Sequence, residues 1–154
     1  MALTTSTNTA VNPQELLKSI QNREFTVGVV GLGYVGLPLA VEFAMKGIKT
    51  LGIDIDDRKI SSLLRGENYI QDISNDNVRN VMNNGTLAAT TDFSRCGECD
   101  AIFICVPTPF TPNKDPDISH IVHSTEEVAK SLRPGQIIIL KSTTFPGTTT
   151  KYVQ

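Results

Sequence analysis

The fold is decided by one stretch of the sequence, Val27-Gly-Val-Val-Gly-Leu-Gly-Tyr-Val-Gly36. The mostly apolar residues 25–30, which lead to Gly31, are typical of a β-strand. An apolar-rich helical pattern follows over residues 35–45. The order of strand, G-x-G-x-x-G spacing and helix predicts a phosphate-binding turn.

Each of the three turn glycines has a distinct expected task. At Gly31 the backbone must reverse tightly, at Gly33 it must approach a pyrophosphate, and at Gly36 the helix must pack closely on the strand. The first N–H groups of the helix lack internal acceptors and lie at the positive end of its dipole, so they can bind an anion without a basic side chain. The alternative is a glycine-rich turn that serves packing alone. The strand and helix on either side favour the dinucleotide interpretation.

The second predicted strand, residues 49–54, closes with an acid, Asp54, which lies 18 residues after Gly36. This spacing is expected for a carboxylate that accepts hydrogen bonds from the adenosine ribose and repels the 2′-phosphate of NADP. NAD is therefore the predicted cofactor. Two alternatives stay open at this point: Asp54 could merely begin a turn into the next helix, or Arg58 or Lys59 could bind a phosphate. Two further acids beside those bases disfavour the latter.

Strands alternate with helices along the rest of the chain, as expected for an α/β fold. Predicted helices cover residues 57–65, 74–84 and 117–132, predicted strands cover 86–89, 100–106 and 136–140, and a further helix begins at 148–154. The polar excursion 66–85 is expected to be structural. The unbroken apolar run 100–106 is typical of a parallel strand that is buried on both faces. The predicted fold is a Rossmann-like, doubly wound, mainly parallel sheet.

One domain is the default for a chain of 154 residues. Residues 1–11 lack hydrophobic periodicity and predict a flexible tail. Asn12 and Pro13 are suited to start a helix, so a short edge helix is expected at about residues 12–21. Its small apolar face, which includes Leu17 and Ile20, is expected to dock on the domain edge. The dinucleotide-binding domain is predicted to span residues 12–154.

Three loops are expected to meet at the carboxyl edge of such a sheet, where ligands bind at the switch in strand order. They are the glycine turn, Val106-Pro107-Thr108-Pro109 and Ser142-Thr143-Thr144. The glycine turn should hold the pyrophosphate. The other two loops should flank the nicotinamide half of the cofactor.

Composition narrows the possible partners. Fourteen basic and sixteen acidic side chains give a net charge of −2 without a basic block, so nucleic acid is not an expected partner. No stretch approaches the roughly 20 consecutive apolar residues of a membrane span, and no secretory signal pattern occurs. Three cysteines, an odd number, fit a reducing compartment. The expected location is the cytoplasm, without a membrane partner.

Other catalytic or metal-binding arrangements receive little support. Cys96 and Cys99 with His120 and His123 offer zinc-ligand types, but 20 residues and a buried strand separate the pairs, so no metal is expected. The two histidines are expected on a solvated helix face. Cys105 lies in a continuous apolar strand and is expected to be packed and inert. No Gly-x-Ser-x-Gly nucleophile elbow occurs.

Four segments together resemble a known family. They are residues 31–40, the Gly-Ile-Asp-Ile-Asp segment 52–56, the Cys-Val-Pro-Thr-Pro segment 105–109 and the Lys-Ser-Thr-Thr-Phe-Pro-Gly-Thr segment 141–148. In order and separation they are similar to the N-terminal NAD-binding domain of the UDP-glucose/GDP-mannose dehydrogenases. The last two segments, with Pro116-Asp-Ile-Ser119 between them, look most like the branch that acts on UDP-N-acetylhexosamines. Phe110 departs from members that have a small polar residue after Thr-Pro.

The resemblance also implies roles for individual residues. Tyr34 and Val35 would present backbone N–H groups to the pyrophosphate, Asp54 would bind the adenosine ribose, and Lys59 would lie near the ribose or a phosphate. Thr108 and Thr143 would approach the nicotinamide. Thr143 would also help to hold a catalytic water, since a hydroxyl both donates and accepts. The complete set of implied cofactor-binding residues is Gly31, Gly33, Tyr34, Val35, Gly36, Asp54, Lys59, Val106, Pro107, Thr108, Ser142 and Thr143.

The family oxidises the C6 alcohol of a nucleotide sugar to a carboxylate with two NAD and a catalytic cysteine. The resemblance implies that this cysteine, the central helix and the substrate domain lie beyond Gln154, and that the chain alone is inactive. It also implies a UDP-N-acetylhexosamine or UDP-glucose substrate and a homodimer at full length. The alternative is a stand-alone NAD-responsive binding or regulatory module. An unrelated hydroxyacid-type dehydrogenase is disfavoured by residues 142–147.

Overall fold

A computed structural model of the chain describes residues 13–110 and 116–154. Helices and strands alternate along the described residues. The helices are α1 (Pro13–Asn22), α2 (Gly36–Met45), α3 (Asp57–Leu64), α4 (Asn75–Asn83) and α5 (Ser119–Ala129). The strands are β1 (Thr26–Val30), β2 (Lys49–Ile53), β3 (Leu87–Thr90), β4 (Ala101–Ile104) and β5 (Ile137–Leu140).

The five strands form one parallel sheet in the order β3-β2-β1-β4-β5. β1 lies at its centre, with Val29 beside Gly52 of β2 and beside Phe103 of β4. The chain therefore builds one half of the sheet from β1 through β2 to β3 and then crosses back to add β4 and β5 on the other side of β1. This crossing creates the switch in strand order at which ligands bind. The predicted Rossmann-like, doubly wound sheet is confirmed.

The core lies on both faces of the sheet. On one face, buried residues of β1 pack with α2, α3 and α4; this cluster includes Val29, Leu37, Leu63 and Val78. On the other face, residues such as Ile53 and Ile102 pack with α5. Both faces of the central strands are thus covered, which explains their short, nearly continuous apolar runs.

Local sequence signals explain several helix ends. Asp56 accepts a hydrogen bond from the Arg58 N–H at the start of α3, and Ser74 accepts one from the Asn77 N–H at the start of α4. Side-chain oxygens at these N-cap positions pair with donors that a helix leaves free. Gly47, after α2, adopts a φ of 78°, as expected for the residue that ends a helix.

Several predicted boundaries need correction. α5 ends at Ala129 instead of residue 132, because the following N–H groups bond to carbonyls only three residues back, as Ser131 does to Val128. A 3₁₀ helix, Phe93–Glu98, for which no helix was predicted, connects β3 to β4. The predicted last helix is a single π-helical turn, Thr149–Val153.

The N-terminal helix forms close to its predicted position, at Pro13–Asn22. Leu17 and Ile20 are 56% and 43% exposed, so these two side chains do not dock on the domain as expected. The predicted flexible tail, residues 1–11, lies outside the described residues.

Candidate functional site

The glycine turn joins the end of β1 to the start of α2, and two of its glycines are required by the protein itself. Gly31 has a φ of 90°, and a Cβ there would lie 2.8 Å from the Cys105 carbonyl oxygen. A Cβ on Gly36 would lie 1.7 Å from the Gly31 carbonyl oxygen. Side chains at these two positions would therefore force the turn away from β4 and α2.

Gly33 differs from these two glycines. A Cβ built on it would meet no other atom within 4 Å, and its φ is not in the positive range. Protein packing therefore does not explain a glycine here. The open space beside Gly33 is the kind of space that a closely approaching ligand requires.

The start of α2 is suited to bind an anion. Val35 at the N-cap position has no side-chain cap hydrogen bond, within the described part of the chain. The first turn of α2 carries no acidic residue. Positive potential from the helix dipole is therefore not offset by a carboxylate within the first turn of α2 itself.

Asp54 follows β2 and lies beneath the glycine turn, only 5% exposed. Its Oδ2 accepts hydrogen bonds from the Leu32 N–H at 2.7 Å and from Lys59 Nζ at 2.8 Å. Its Oδ1 accepts one from the Asp56 N–H at 2.9 Å. The carboxylate thus joins the glycine turn to the start of α3. Since Oδ1 accepts a single bond here, it retains capacity for a ligand hydroxyl.

Two cation–carboxylate pairs surround this position. Lys59 Nζ lies 2.8 Å from Asp54, and Arg58 Nη2 lies 2.8 Å from Asp56 Oδ2. The hydrogen bond from Arg58 lowers the pKa of Asp56 to about 2. Both bases that could bind a phosphate are therefore already paired with an acid.

The two threonine loops form the other wall. Thr108 Oγ1 donates a 2.7 Å hydrogen bond to the Thr143 carbonyl, which ties the loop after β4 to the loop after β5. Ser142 Oγ donates to the Val106 carbonyl at 2.7 Å. Parallel neighbours β4 and β5 place both loops at the same edge as the glycine turn.

A cleft of about 550 Å³ lies between these walls. It is lined by eleven of the twelve predicted residues, and the exception, Gly36, is buried under the turn. The volume lies in the range of small-molecule sites. Four further lining residues were not predicted as site residues: Tyr69, Ile70, Cys105 and Lys141.

The sequence offers a signal for two of these four lining residues but not for the other two. Lys141 and Cys105 adjoin the predicted loops, so their position along the chain was a usable signal. Tyr69 and Ile70 belong to the excursion between α3 and α4, which was expected to be purely structural. Tyr69 both lines the cleft and contacts the glycine turn, since its hydroxyl donates a 2.9 Å hydrogen bond to the Leu32 carbonyl.

A second cleft of about 240 Å³ continues from the first on the α5 side of Asp54. The two share Gly31, Asp54 and Lys59 among their lining residues. His120 and His123 are exposed, as expected, and line this second cleft. An extended ligand could therefore lie across the turn with one end in each cleft.

The cysteines lie in the core. Burial raises the pKa of Cys96 to about 11 and that of Cys99 to about 12. Burial likewise raises the pKa of Cys105 to about 11, although Lys141 acts against it. Such thiols stay protonated near neutral pH and are poor nucleophiles. Within residues 13–110 and 116–154, no group of three or more potential metal ligands occurs.

Fold and site together define a dinucleotide-binding domain of the dehydrogenase class. Residues 25–154 match the model of the UDP-glucose/GDP-mannose dehydrogenase family, NAD binding domain. The chain belongs to this family, and its cofactor is NAD.

Similar proteins are nucleotide-sugar dehydrogenases. The chain is 41% identical over 125 residues to UDP-N-acetyl-D-mannosamine dehydrogenase of Campylobacter jejuni, covering 80% of this chain and 30% of that protein. It is 35% identical to UDP-N-acetyl-D-glucosamine 6-dehydrogenase of Pseudomonas aeruginosa, covering 82% and 29%. The crystal structure of NDP-N-acetyl-D-galactosaminuronic acid dehydrogenase from Methanosarcina mazei Go1 superposes with a TM-score of 0.78 at 36% identity, covering 90% of this chain and 32% of that one.

The chain thus spans about 30% of the length of the relatives it matches. In the part of the chain that the structure describes, no helix has the length and apolar character needed to cross a membrane.

Proposed function

We propose that the chain is the NAD-binding part of a nucleotide-sugar 6-dehydrogenase. The enzyme oxidises the C6 alcohol of a UDP-sugar, a UDP-N-acetylhexosamine or UDP-glucose, first to the aldehyde and then, with water, to the carboxylate. Each step transfers one hydride to one NAD. The observation that carries this proposal is the single cleft that the glycine turn, Asp54 and both threonine loops line together.

The glycine turn is the proposed pyrophosphate site. The backbone N–H groups of Tyr34 and Val35 donate to the phosphate oxygens, and the open space at Gly33 lets the ligand approach the backbone. Gly31 and Gly36 belong to the same proposed site: both build the turn, and Gly31 also lines the cleft. A helix start without a capping side chain supports this assignment.

Asp54 is the proposed ligand of the adenosine ribose, and Lys59 supports it from the same side. The free capacity of Asp54 Oδ1 suits a ribose hydroxyl. A 2′-phosphate would meet the Asp54 charge, and both nearby bases are already paired. These contacts support selection of NAD over NADP.

Val106, Pro107, Thr108, Ser142 and Thr143 are proposed to form the wall beside the nicotinamide. Thr108 bonds to the carbonyl of Thr143, and the Thr143 side chain is exposed where its residue lines the cleft. A hydroxyl in this position can hold a water for the second oxidation step as both donor and acceptor. Thr143 is the proposed catalytic residue of this chain.

The wider assignments follow from the same family membership. We infer a nucleotide-sugar substrate and a homodimer for the complete enzyme, in the cytoplasm and without a nucleic-acid or membrane partner. The names of the relatives, which act on N-acetylated sugars, favour a UDP-N-acetylhexosamine. A net charge of −2 supports the exclusion of nucleic acid.

Two measurements test the proposal. Calorimetric titration of the 154-residue chain should show saturable NAD binding and weaker NADP binding, and no NADH should form from any UDP-sugar. The complete open reading frame should reduce two NAD per UDP-N-acetylhexosamine or UDP-glucose oxidised. An open reading frame that binds NAD but oxidises no nucleotide sugar would favour the binding or regulatory module instead.

A further inference from the structure

Leu32 lies inside the glycine turn, and both its backbone N–H and its backbone carbonyl are hydrogen-bonded to side chains from elsewhere in the fold. Its N–H donates to Asp54 Oδ2 at 2.7 Å, and its carbonyl accepts from the Tyr69 hydroxyl at 2.9 Å. Its own side chain is fully buried. It packs against Gly52 so tightly that a Cβ there would lie 3.0 Å from both Leu32 methyl carbons.

These contacts fix two consecutive peptide planes. A trans peptide is planar, so the carbonyl and the N–H of one peptide unit point in opposite directions. The bond to Asp54 orients the Gly31–Leu32 peptide, whose carbonyl then lies against Gly36. The bond from Tyr69 orients the next peptide, Leu32–Gly33. The direction in which the chain leaves toward Tyr34 therefore depends on both side chains.

Tyr69 is itself held on a braced segment between α3 and α4. Asn68 Oδ1 accepts from the Ile70 N–H at 2.8 Å, and Asn68 Nδ2 donates to the carbonyls of Ile70 and Ile73. The Asn68 N–H in turn donates to Asn75 Oδ1 at 2.8 Å. Ile70 is 4% exposed and anchors the segment in the core. The hydroxyl therefore approaches Leu32 from a rigid support.

We propose that Tyr69 is a positioning residue for the cofactor: its hydroxyl holds the Leu32–Gly33 peptide in the one orientation that presents the following backbone amides to the pyrophosphate. The inference rests on the proposed function of the glycine turn. Asp54 holds one side of the turn and Tyr69 the other. A turn orientated before the ligand arrives loses less conformational entropy on binding.

The chemistry of the hydroxyl suits this role. Burial raises the pKa of Tyr69, and the charges of Asp54 and Asp56 raise it further. The group is therefore a neutral donor throughout the physiological pH range. A phenylalanine would keep the ring and lose only the donor, which makes Tyr69→Phe the informative variant.

The test compares Tyr69→Phe with the matched control Tyr152→Phe, which lies in the C-terminal π-helical turn. For Tyr69→Phe we expect the affinity for NAD and for ADP to fall about fivefold, equivalent to about 1 kcal/mol. Adenosine has no phosphate, and its affinity should not change. The control should change none of the three. Calorimetry measures NAD and ADP, and ligand-detected NMR measures adenosine.

Hydrogen exchange supplies a second readout without any ligand. The Leu32 amide, which is buried and donates to Asp54, should exchange faster in Tyr69→Phe than in the wild type, while the amides of α5 keep their rates. Unchanged hydrogen exchange at the turn would overturn the proposal. If the wild type binds NAD, an equal NAD affinity of Tyr69→Phe would also overturn it. An equal loss for adenosine would also overturn it, because Tyr69 would then act on the nucleoside. If the wild type binds no NAD, the proposed function fails, while hydrogen exchange still tests the positioning.

Discussion

The two walls of the cleft are built in different ways. On the glycine-turn side, the residues that hold the turn are mostly buried: Leu32 is fully buried and Asp54 is 5% exposed. On the threonine-loop side, the bond from Thr108 to Thr143 is exposed to solvent. Two aromatic side chains of these loops are also exposed, Phe110 at 75% and Phe145 at 39%.

This difference indicates which wall is already fixed in its binding conformation before the ligand arrives. A buried hydrogen bond cannot be replaced by water when one partner is removed, so its loss costs the full desolvation of the other partner. An exposed hydrogen bond competes with water and contributes less. The glycine-turn wall is therefore held by buried hydrogen bonds before a ligand arrives, whereas the bond that joins Thr108 to Thr143 competes with water.

The largest effect should come from Gly36→Ala. The added Cβ would lie 1.7 Å from the Gly31 carbonyl oxygen and 3.2 Å from Cys105 Cβ. Relief of this overlap must move α2 or the turn, so we expect the free energy of unfolding to fall by about 3 kcal/mol and NAD binding to be lost. Urea denaturation and calorimetry measure the two changes.

Gly85→Ala provides the control for Gly36→Ala. Its φ is 74°, and a Cβ there meets nothing within 4 Å. We expect about 1 kcal/mol of destabilisation from the backbone conformation alone, with NAD binding retained. Equal behaviour of the two variants would show that the overlap at Gly36 is relieved at little cost.

Gly33→Ala should separate binding from stability. An added Cβ meets no protein atom within 4 Å. The free energy of unfolding should therefore stay within about 0.5 kcal/mol of the wild type. The NAD affinity should fall about 30-fold, or about 2 kcal/mol, because the methyl group occupies the ligand's approach. Unchanged NAD affinity would remove Gly33 from the proposed site.

Asp54→Asn should act on cofactor choice. In the wild type, Lys59 Nζ lies 2.8 Å from Asp54 Oδ2. The asparagine amide is neutral, so Lys59 loses this ion pair. We expect the NAD affinity to fall about tenfold, or about 1.4 kcal/mol, and the preference for NAD over NADP to shrink, since Lys59 is free to pair with a 2′-phosphate. Parallel titrations with both cofactors measure this.

Asp57→Asn is the matched control for Asp54→Asn, since Asp57 is an exposed acid in the first turn of α3. It should leave both cofactor affinities within about twofold of the wild type. A similar loss of NAD preference in both variants would mean that general negative charge, and not Asp54, selects the cofactor.

The smallest effect should come from the threonine wall. Thr108→Val keeps the shape of the side chain and removes the hydrogen bond to the Thr143 carbonyl. We expect about a twofold loss of NAD affinity and less than about 0.5 kcal/mol of destabilisation, because the bond is exposed. Thr91→Val, at an exposed threonine that does not line the cleft, serves as the control. A loss as large as that of Asp54→Asn would show that both walls are preorganised alike.

Much of the cleft could be predicted from short-range patterns. The residues of the glycine turn and of the two threonine loops are contiguous in sequence, and β1, β4 and β5 place them at one edge once the sheet is parallel. Asp54 was identified by its distance from Gly36. Tyr69 was missed because its partner, Leu32, lies 37 residues away and the segment between α3 and α4 has no regular period.

Boundary errors have the same origin. α5 was extended to residue 132 because its apolar spacing continues to Leu132, which is in fact 54% exposed. Arg133, just beyond, donates to the Gly97 carbonyl at 2.8 Å and to Asp100 Oδ1 at 2.7 Å. These long-range bonds accompany the turn that ends the helix, and no local pattern indicates them.

By itself, the sequence determined the strand–turn–helix unit, the parallel α/β fold and the acid that favours NAD. Each of these depends on residue types at fixed short spacings, whose backbone and charge properties act locally. Only the tertiary structure decided which side chains hold the turn. The bonds of Asp54 and Tyr69 to Leu32 depend on where two separate segments meet after the core has packed. The burial of whole helices and strands determines where these segments meet, and the glycine-turn motif alone does not encode that burial.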